Sequence, residues 1–384
     1  MELYLDNSAT SWPKPVSVVE AISRFMTECG ASPGRSGHKK AIEAARMVYE
    51  TREMLRNFFN ADTSDRVVFT QNLTLAMNIA LKGILKKGDH VIISHTEHNS
   101  VIRPLRHLEN QGLIEISVVP CNSEGQIDLE AFSKTFKPNT KLVACIHGSN
   151  VSGAILPIEK IGEMCKARNV LFVVDAAQTA GFLPIDMKLQ NIDVLTFTGH
   201  KKLYGPTGIG GLCFNENVKI DNFIQGGSGS KSEAETHPDF YPDKLEAGTL
   251  NTIGIVGLKA GLEYILGKGI DNIRKNLLEL TEFFIKSLIE IPEITVHGPS
   301  LGKLRLPVIS VSTDLMFPDK LSQILDTEYG IMTRHGLHCS PLAHKALGTF
   351  PYGTTRFSLG CFNTQDDVEF VVNSLKQILC DKKI

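Results

Sequence analysis

Short apolar runs alternate with stretches of helical periodicity in the first part of the chain. Seven of these runs lie at residues 66–70, 90–94, 114–120, 141–148, 170–175, 194–199 and 208–214. They are nearly continuous in apolar residues, as is typical of strands that are buried on both faces of a sheet. Because helical segments separate most of them, the pattern predicts an α/β fold with a mostly parallel, seven-stranded sheet.

The pattern changes after about residue 256. A long helical stretch at 255–290 is followed by short strand-like runs, a further helix and a C-terminal helix. This arrangement predicts a second, smaller α+β domain, as the length of the chain also suggests. We assign residues 15–260 to a large domain, and residues 1–14 together with 261–384 to the small domain.

The composition is that of an ordinary globular protein. Hydrophobic residues make up 42% of the chain and charged residues 21%, and the formal net charge of −2 gives no general attraction to nucleic acid or anionic membranes. No apolar run approaches the roughly 18 residues that span a bilayer, and the first ten residues lack the features of a signal peptide. The eight cysteines form no C-x-x-C pair, which argues against a zinc site and a disulfide framework and favours a reducing cytoplasm.

Polar or ionisable residues follow five of the predicted strands. In an open parallel sheet, ligands bind at the carboxyl ends of the strands, so these residues predict a single binding site. The residues concerned are Asn72, Thr74, His98, Asn150, Asp175, Gln178, Thr198, His200 and Lys201.

Asp175 and Lys201 indicate which chemistry this site performs. A carboxylate directly after an apolar strand is costly to bury unless it meets a cation or a proton donor. Asp175 is therefore either a helix N-cap or the partner of a protonated ring nitrogen, such as that of pyridoxal 5′-phosphate (PLP). The lysine after "TGH" is not placed like a solvated lysine, so we interpret Lys201 as a Schiff-base lysine and Lys202 as a solvated neighbour.

Two further motifs near strand ends have alternative interpretations. The segment "TQNLT" connects a strand to a helix, so its N–H groups and the helix dipole predict an anion site. It lacks the lysine and the glycine spacing of nucleotide-binding loops, and Thr74 could instead be a plain N-cap. His98, in "HTEHNS", either caps a helix or stacks on an aromatic cofactor ring.

One cysteine has unusual neighbours. In "TRHGLHCSPLAHKALG", Cys339 follows Arg334, His335 and His338, which could favour its thiolate form. The flanking glycine and proline suit a loop that approaches a site and withdraws from it. The alternatives are that Cys339 is a plain surface cysteine, or that Cys361 is the reactive thiol.

Taken in order, these motifs resemble the class V aminotransferase-like PLP enzymes, and within them the cysteine desulfurase and selenocysteine lyase group. The resemblance extends over essentially the whole chain, from "YLDNSAT" to "TTRFSLGCFNT". It implies a large domain with the PLP-dependent transferase fold (fold type I) and a smaller α+β domain. The motifs that carry it are Asn72–Thr74, "EHN", "GSNVSG", "DAAQ", "TGHKKLYGPTG", "EAGTLNT" and "RHGLHC".

The resemblance implies a role in cofactor binding for each matching residue. Lys201 would carry PLP as a Schiff base, Asp175 would pair with its pyridine nitrogen, and His98 would stack on its ring. Gln178 and Asn150 would lie near its phenolic oxygen. The phosphate contacts would come from the backbone of Leu73 and Thr74, from Thr198 and His200, and from Thr249 of the other subunit of a homodimer.

The substrate contacts are implied in the same way. Arg356 would bind the substrate carboxylate as a bidentate fork. Asn150 would lie close to the substrate, and His38 and Arg334 would line the mouth of the pocket.

The implied reaction is the conversion of L-cysteine to L-alanine. Lys201 would act as the base at Cα, with His98 beside the cofactor, and the Cys339 thiolate would attack the substrate sulfur. Cys339 would then carry a persulfide for a sulfur-acceptor protein, as sulfur metabolism and iron–sulfur cluster assembly require.

The chain departs from the family pattern at three places. "QNLT" replaces a more usual R-G-T-T, which affects the side-chain part of the phosphate contact. The lysine motif is one residue longer than H-K-[LIV]-Y-G-P, so Lys202 is the alternative to Lys201. "HCSPLAH" replaces the more usual H-C-A-x-P.

Two other functions remain open at this point. The first is a selenocysteine lyase or another PLP-dependent C–S lyase, acting on L-selenocysteine or a related amino acid. The second is a non-catalytic protein with the same fold that serves as a scaffold or partner of sulfur-carrier proteins.

Overall fold

The computed structural model describes residues 2–34 and 36–381, and within them it contains three β-sheets. The strands are β1 (Leu3–Tyr4), β2 (Val67–Thr70), β3 (Asp89–Ser94), β4 (Ile114–Val119), β5 (Thr140–Ile146), β6 (Leu171–Asp175), β7 (Val194–Thr198), β8 (Gly210–Phe214), β9 (Thr295–His297), β10 (Val308–Ser312), β11 (Ile331–Met332), β12 (Arg334–Gly336) and β13 (Thr354–Ser358).

The largest sheet has seven strands in the order β2-β8-β7-β6-β5-β3-β4. β8 runs antiparallel to its neighbours β2 and β7, and the other adjacent pairs are parallel. The predicted α/β fold with a mostly parallel, seven-stranded sheet is confirmed.

Helices cover both faces of this sheet. The α-helices that the structure describes are α1 (Val16–Arg24), α2 (Lys39–Phe59), α3 (Leu73–Ile84), α4 (Asn99–Asn110), α5 (Leu129–Lys134), α6 (Ile158–Ala167), α7 (Thr252–Lys268), α8 (Ile270–Ile289), α9 (Pro318–Tyr329), α10 (Pro341–Ala346) and α11 (Gln365–Asp381). A π-helical turn, Phe25–Cys29, continues α1, and a 3₁₀ turn, Ser64–Arg66, precedes β2. Over the described ranges, every helix is too short or too polar to cross a membrane.

The helical stretch predicted at 255–290 is in fact two helices. Gly269 separates α7 from α8 and has a φ of 79°, in the left-handed region that glycine adopts without strain. The helical periodicity of the two segments is similar, so the pattern alone did not reveal the break.

The central sheet separates two hydrophobic clusters, which explains why its strands are apolar without alternation. On β7, Leu195 packs in one cluster with side chains of α2 and α7. Its neighbour Val194 packs in the other cluster with side chains of α3 and α4. Because successive side chains of a strand point to opposite faces, both faces of β7 must be apolar to be buried.

The first residues of the chain pair with its C-terminal part. β1 lies parallel to β11, with Leu3 opposite Ile331 and Tyr4 opposite Met332. The C-terminal part of the chain also forms a four-stranded antiparallel sheet, in the order β12-β13-β10-β9. The predicted boundary at residues 260/261 falls inside α7, and the division into two domains remains a prediction.

Candidate active site

One cavity of about 220 Å³ lies at the carboxyl ends of β5, β6 and β7. Every predicted site residue except His38 and Thr249 lines it. The cavity therefore brings together residues that are widely separated in sequence, from Leu73 on α3 to Arg356 on β13.

Asp175 ends β6 and is almost completely buried, at 1% exposure. Its Oδ1 accepts a hydrogen bond from the backbone N–H of Ala177 at 2.9 Å, and its Oδ2 accepts one from the hydroxyl of Ser100 at 3.3 Å. Burial raises the pKa of this carboxyl above its usual value. A proton donor or cation in the cavity would therefore stabilise the ionised carboxylate.

The two adjacent lysines have different surroundings. Lys201 lines the cavity, whereas the Nζ of Lys202 lies 5.3 Å from the ring centroid of Phe182, outside the cavity lining. Burial lowers the pKa of each to about 8, and for Lys201 nearby Asp175 partly opposes this effect. The expectation that Lys202 is solvated was wrong, because its side chain is buried against an aromatic ring.

His98 both caps a helix and faces the cavity. It is the N-cap residue of α4, and its Nδ1 accepts the backbone N–H of Ser100 at 3.1 Å. Burial, and next the charge of Lys201, lower the pKa of His98 to about 3. The ring is therefore neutral.

The N-terminus of α3 lies at the cavity. Leu73 and Thr74 are the first residues of the helix, where backbone N–H groups have no intrahelical acceptors. The N-cap is Asn72, whose Oδ1 accepts the N–H of Leu75 at 3.0 Å. The alternative that Thr74 is a plain N-cap was therefore wrong, because the preceding asparagine caps the helix.

Arg356 lies on β13 and is 1% exposed. Its Nη2 donates to the carboxylate of Asp6, and its Nη1 donates to the backbone oxygen of Asn150 at 3.1 Å. Its Nε, which is also buried, has no hydrogen-bond partner in the described part of the chain. A carboxylate in the cavity would meet a guanidinium that its protein neighbours already orient.

Cys339 is exposed and borders the same cavity as Lys201. Nη2 of Arg334 lies 3.9 Å from its Sγ. His338 was expected to add positive charge here, and this was wrong. Burial, followed by the charge of Arg356, lowers the pKa of His338 well below its ordinary value, so its ring is neutral.

Cys361, the alternative reactive thiol, lies outside the cavity lining. It is half-buried, and its Sγ is 3.8 Å from the hydroxyl of Tyr264. Burial raises the pKa of this thiol, which disfavours the nucleophilic thiolate. These surroundings favour Cys339 over Cys361.

The family model described as Aminotransferase class-V matches residues 3–371. The chain belongs to the class-V aminotransferase family. The resemblance that the sequence motifs indicated is thus confirmed.

Individual relatives within this family carry a more specific name. A probable cysteine desulfurase of Pyrococcus abyssi is 34% identical over 389 residues, which cover 98% of this chain and 94% of that protein. A probable cysteine desulfurase of Methanothermobacter thermautotrophicus is 32% identical over 382 residues, with 98% and 94% covered. The apo structure of a cysteine desulfurase from Thermococcus onnurineus NA1 has a TM-score of 0.91 at 31% identity, and the match covers 99% of this chain and 95% of that chain.

The cavity residues fit PLP, the cofactor that the class-V aminotransferase family implies. Buried polar atoms that lack a hydrogen-bond partner are rare in folded proteins, and each one is costly. Several residues of the cavity carry such atoms, so a ligand with a phosphate, a phenolic oxygen and a carboxylate-bearing adduct would satisfy them. The cavity-lining atoms without a partner within the described residues are Ser8 Oγ, Gln178 Oε1, Thr198 Oγ1, His200 Nδ1, His338 Nδ1 and Arg356 Nε.

The structure does not bring two predicted residues to the cavity. His38 is the N-cap residue of α2, and its Nδ1 accepts the N–H of Ala41 at 3.3 Å. Thr249 is exposed and lies outside the lining. The predicted roles of these two residues remain predictions.

The sequence reasoning also missed cavity residues. The Ser100 hydroxyl donates to Asp175 and lies 2.9 Å from Nδ1 of His98. Ser8 accepts the side-chain N–H of Gln178 at 2.9 Å through its backbone oxygen. Ser100 follows His98 by two residues, a spacing that could have indicated a shared capping role. Ser8 acts through its backbone and gave no comparable signal.

Proposed function

We propose that this protein is a PLP-dependent cysteine desulfurase, which converts L-cysteine to L-alanine and retains the sulfur as a persulfide on Cys339. The observation that carries this proposal is that Lys201, Asp175, Arg356 and Cys339 border one cavity. The names of the relatives at 31–34% identity support the same activity. A scaffold without catalysis would have no need for this set of groups.

The protein residues would hold the cofactor as follows. Lys201 would bind it covalently, and Asp175 would pair with its ring nitrogen. The neutral ring of His98 would cover one of its faces. The phosphate would be bound by the N-terminus of α3 and by Thr198 and His200.

When bound, PLP supplies an electron sink that acidifies the Cα–H bond of an attached amino acid and weakens its Cβ–sulfur bond. Arg356 would fix the carboxylate of that amino acid, since its Nε is unpartnered and the cation is already oriented by Asp6. Lys201 Nζ would accept the Cα proton. A pKa of about 8 suits a group that must accept and return a proton near neutral pH.

Cys339 would then receive the sulfur. Its Sγ forms a bond to the substrate sulfur while the Cβ–sulfur bond breaks, and the bonding electrons of the broken bond remain with the carbon. A proton completes alanine, and the enzyme thiol is oxidised to a persulfide. The reaction is balanced, because one thiol and one cysteine give one persulfide and one alanine.

This proposal is tested by measuring alanine and the released sulfur or selenium after incubation with L-cysteine and, separately, with L-selenocysteine. Purified protein with PLP should release alanine from L-cysteine in one-to-one proportion with sulfur, first as protein persulfide and then as sulfide after a thiol reductant is added. L-Selenocysteine serves as the comparison. Alanine from selenocysteine without alanine from cysteine would favour the lyase, and alanine from neither would favour a scaffold.

A homodimer and a sulfur-acceptor protein belong to the same proposal. Thr249 would contact the cofactor phosphate of the partner subunit. The eight unpaired cysteines suit a protein that works in a reducing cytoplasm. Large apolar side chains are exposed along α1, the following π-helical turn, α2 and α7, where a second subunit could cover them. They are Val16, Val19, Met26, Ile42, Tyr49, Ile253 and Leu266.

Removal of the Thr249 side chain should weaken cofactor retention. Thr249→Ala should lose PLP several-fold faster during dialysis, because one phosphate contact of each site is missing. Thr327→Ala, another exposed threonine, serves as the control and should retain PLP like the wild type. A monomer by light scattering that is fully active at assay concentration would contradict the dimer.

A further inference from the structure

One side chain binds the residues on both sides of Cys339. The Nδ2 of Asn150 donates to the backbone oxygen of His338 at 2.7 Å. The hydroxyl of Ser340 donates to the Oδ1 of Asn150 at 2.9 Å. Asn150 is 5% exposed and Ser340 is fully buried, so water does not compete for either bond.

The hydroxyl of Ser340 does not have the role that its position predicts. Ser340 is the N-cap residue of α10, and a serine at this position usually accepts a backbone N–H of the first helical turn. Its side chain makes no such capping bond here. The hydroxyl instead joins the loop to Asn150, which lies in the segment after β5.

The backbone around Cys339 is strained and is held by these bonds. His338 has a φ of 47° and Cys339 a φ of 61°, both in the left-handed region that residues other than glycine rarely adopt. Such conformations persist only where the surrounding structure enforces them. The backbone oxygen of Cys339 also accepts the N–H of Asn99, at 2.8 Å, which docks the loop on the start of α4 beside His98.

Asn150 also links this loop to the residue proposed to bind the substrate carboxylate. Its backbone oxygen accepts Nη1 of Arg356 at 3.1 Å. Asn150 therefore connects the Cys339 loop directly to the proposed carboxylate site. A nucleophile that attacks the substrate sulfur needs this kind of fixed relation, because a small misplacement strongly slows the reaction.

We propose that Ser340 is a positioning residue, which acts through Asn150 to hold Cys339 at the cavity for sulfur capture. This role rests on the proposed function. The hydrogen bonds of Asn150 to His338 and Ser340 are features of the structure and hold whatever the function is. Loss of the Ser340 hydroxyl should free the loop to leave its strained conformation. The capture step should then slow, and substrate binding should remain unchanged.

Hydrogen exchange tests the structural part independently of activity. In Ser340→Ala, the amides of residues 337–340 and of Asn99 should exchange about five-fold faster, as expected for the loss of one hydrogen bond. Ser374→Ala removes another buried serine hydroxyl, on α11, and should leave both segments unchanged. If the amide of Asn99 exchanges at the wild-type rate in Ser340→Ala, the proposal is overturned.

Single-turnover kinetics test the functional part. With PLP-loaded protein, Ser340→Ala should form alanine from L-cysteine about five-fold more slowly, with a KM within about two-fold of wild type. Transfer of a preformed persulfide to dithiothreitol should not slow. Equal rates of alanine formation in wild type and variant would overturn the positioning role alone. A wild type that forms no alanine would instead refute the proposed function, and the exchange result would still decide whether Ser340 holds the loop.

Discussion

Replacement of Cys339 by alanine should abolish the desulfuration of L-cysteine. Cys339 is the cysteine that borders the cavity with Lys201, and its Sγ lies 3.9 Å from the Arg334 guanidinium. Removal of a nucleophile typically costs about a thousand-fold or more in rate. PLP binding should persist, because Asp175 and Lys201 are unchanged, and this can be followed by the visible absorbance of the cofactor.

The matched control for this variant is Cys361→Ala, which should desulfurate cysteine at close to the wild-type rate. Alkylation after cysteine turnover, followed by mass spectrometry, should find the extra sulfur on Cys339. An extra sulfur on Cys361, or wild-type turnover by Cys339→Ala, would show that the nucleophile is misassigned. Selenocysteine turnover should fall much less, since selenolate is the better leaving group.

Replacement of Lys201 by alanine should remove both the covalent link to PLP and the base at Cα. The visible absorbance of the lysine-linked cofactor should disappear, as should the adduct trapped by borohydride. Turnover should fall by about four orders of magnitude, because the same side chain attaches the cofactor and accepts the Cα proton.

Lys202→Ala is the informative comparison, since both lysines have a pKa lowered to about 8 by burial. A lowered pKa alone therefore does not identify the reactive lysine. Only Lys201 borders the cavity, whereas Lys202 packs against Phe182. Lys202→Ala should keep the absorbance and the adduct, and the reverse pattern would show that the longer motif shifts the assignment.

The strands of the large sheet were predictable because burial on both faces leaves a local signal. The inner strands are nearly continuous in apolar residues, and the polar residues at the strand ends stood out against them. The same local reasoning placed Asp175 and Lys201 at one edge of the sheet. In each case the location of the residue in the fold follows from its position within its own strand or turn.

The surroundings of Lys202, His338 and Ser340 could not be predicted in this way. Lys202 is buried by Phe182, and His338 is neutral because of burial beside Arg356. Ser340 binds Asn150, a residue 190 positions earlier in the chain. Contacts over such separations depend on the completed fold, so the local sequence carries no record of them.

The pairing of β1 with β11 has a consequence for how the protein is made. The residue that orients Arg356 is Asp6, two residues after β1 and 350 positions before its partner. On a ribosome, the strands of the central sheet emerge long before β11 and β13 exist. The nascent chain can therefore assemble the edge of the sheet with Asp175 and Lys201 first. The pair of Arg356 with Asp6 and the Cys339 loop form only after synthesis is almost finished.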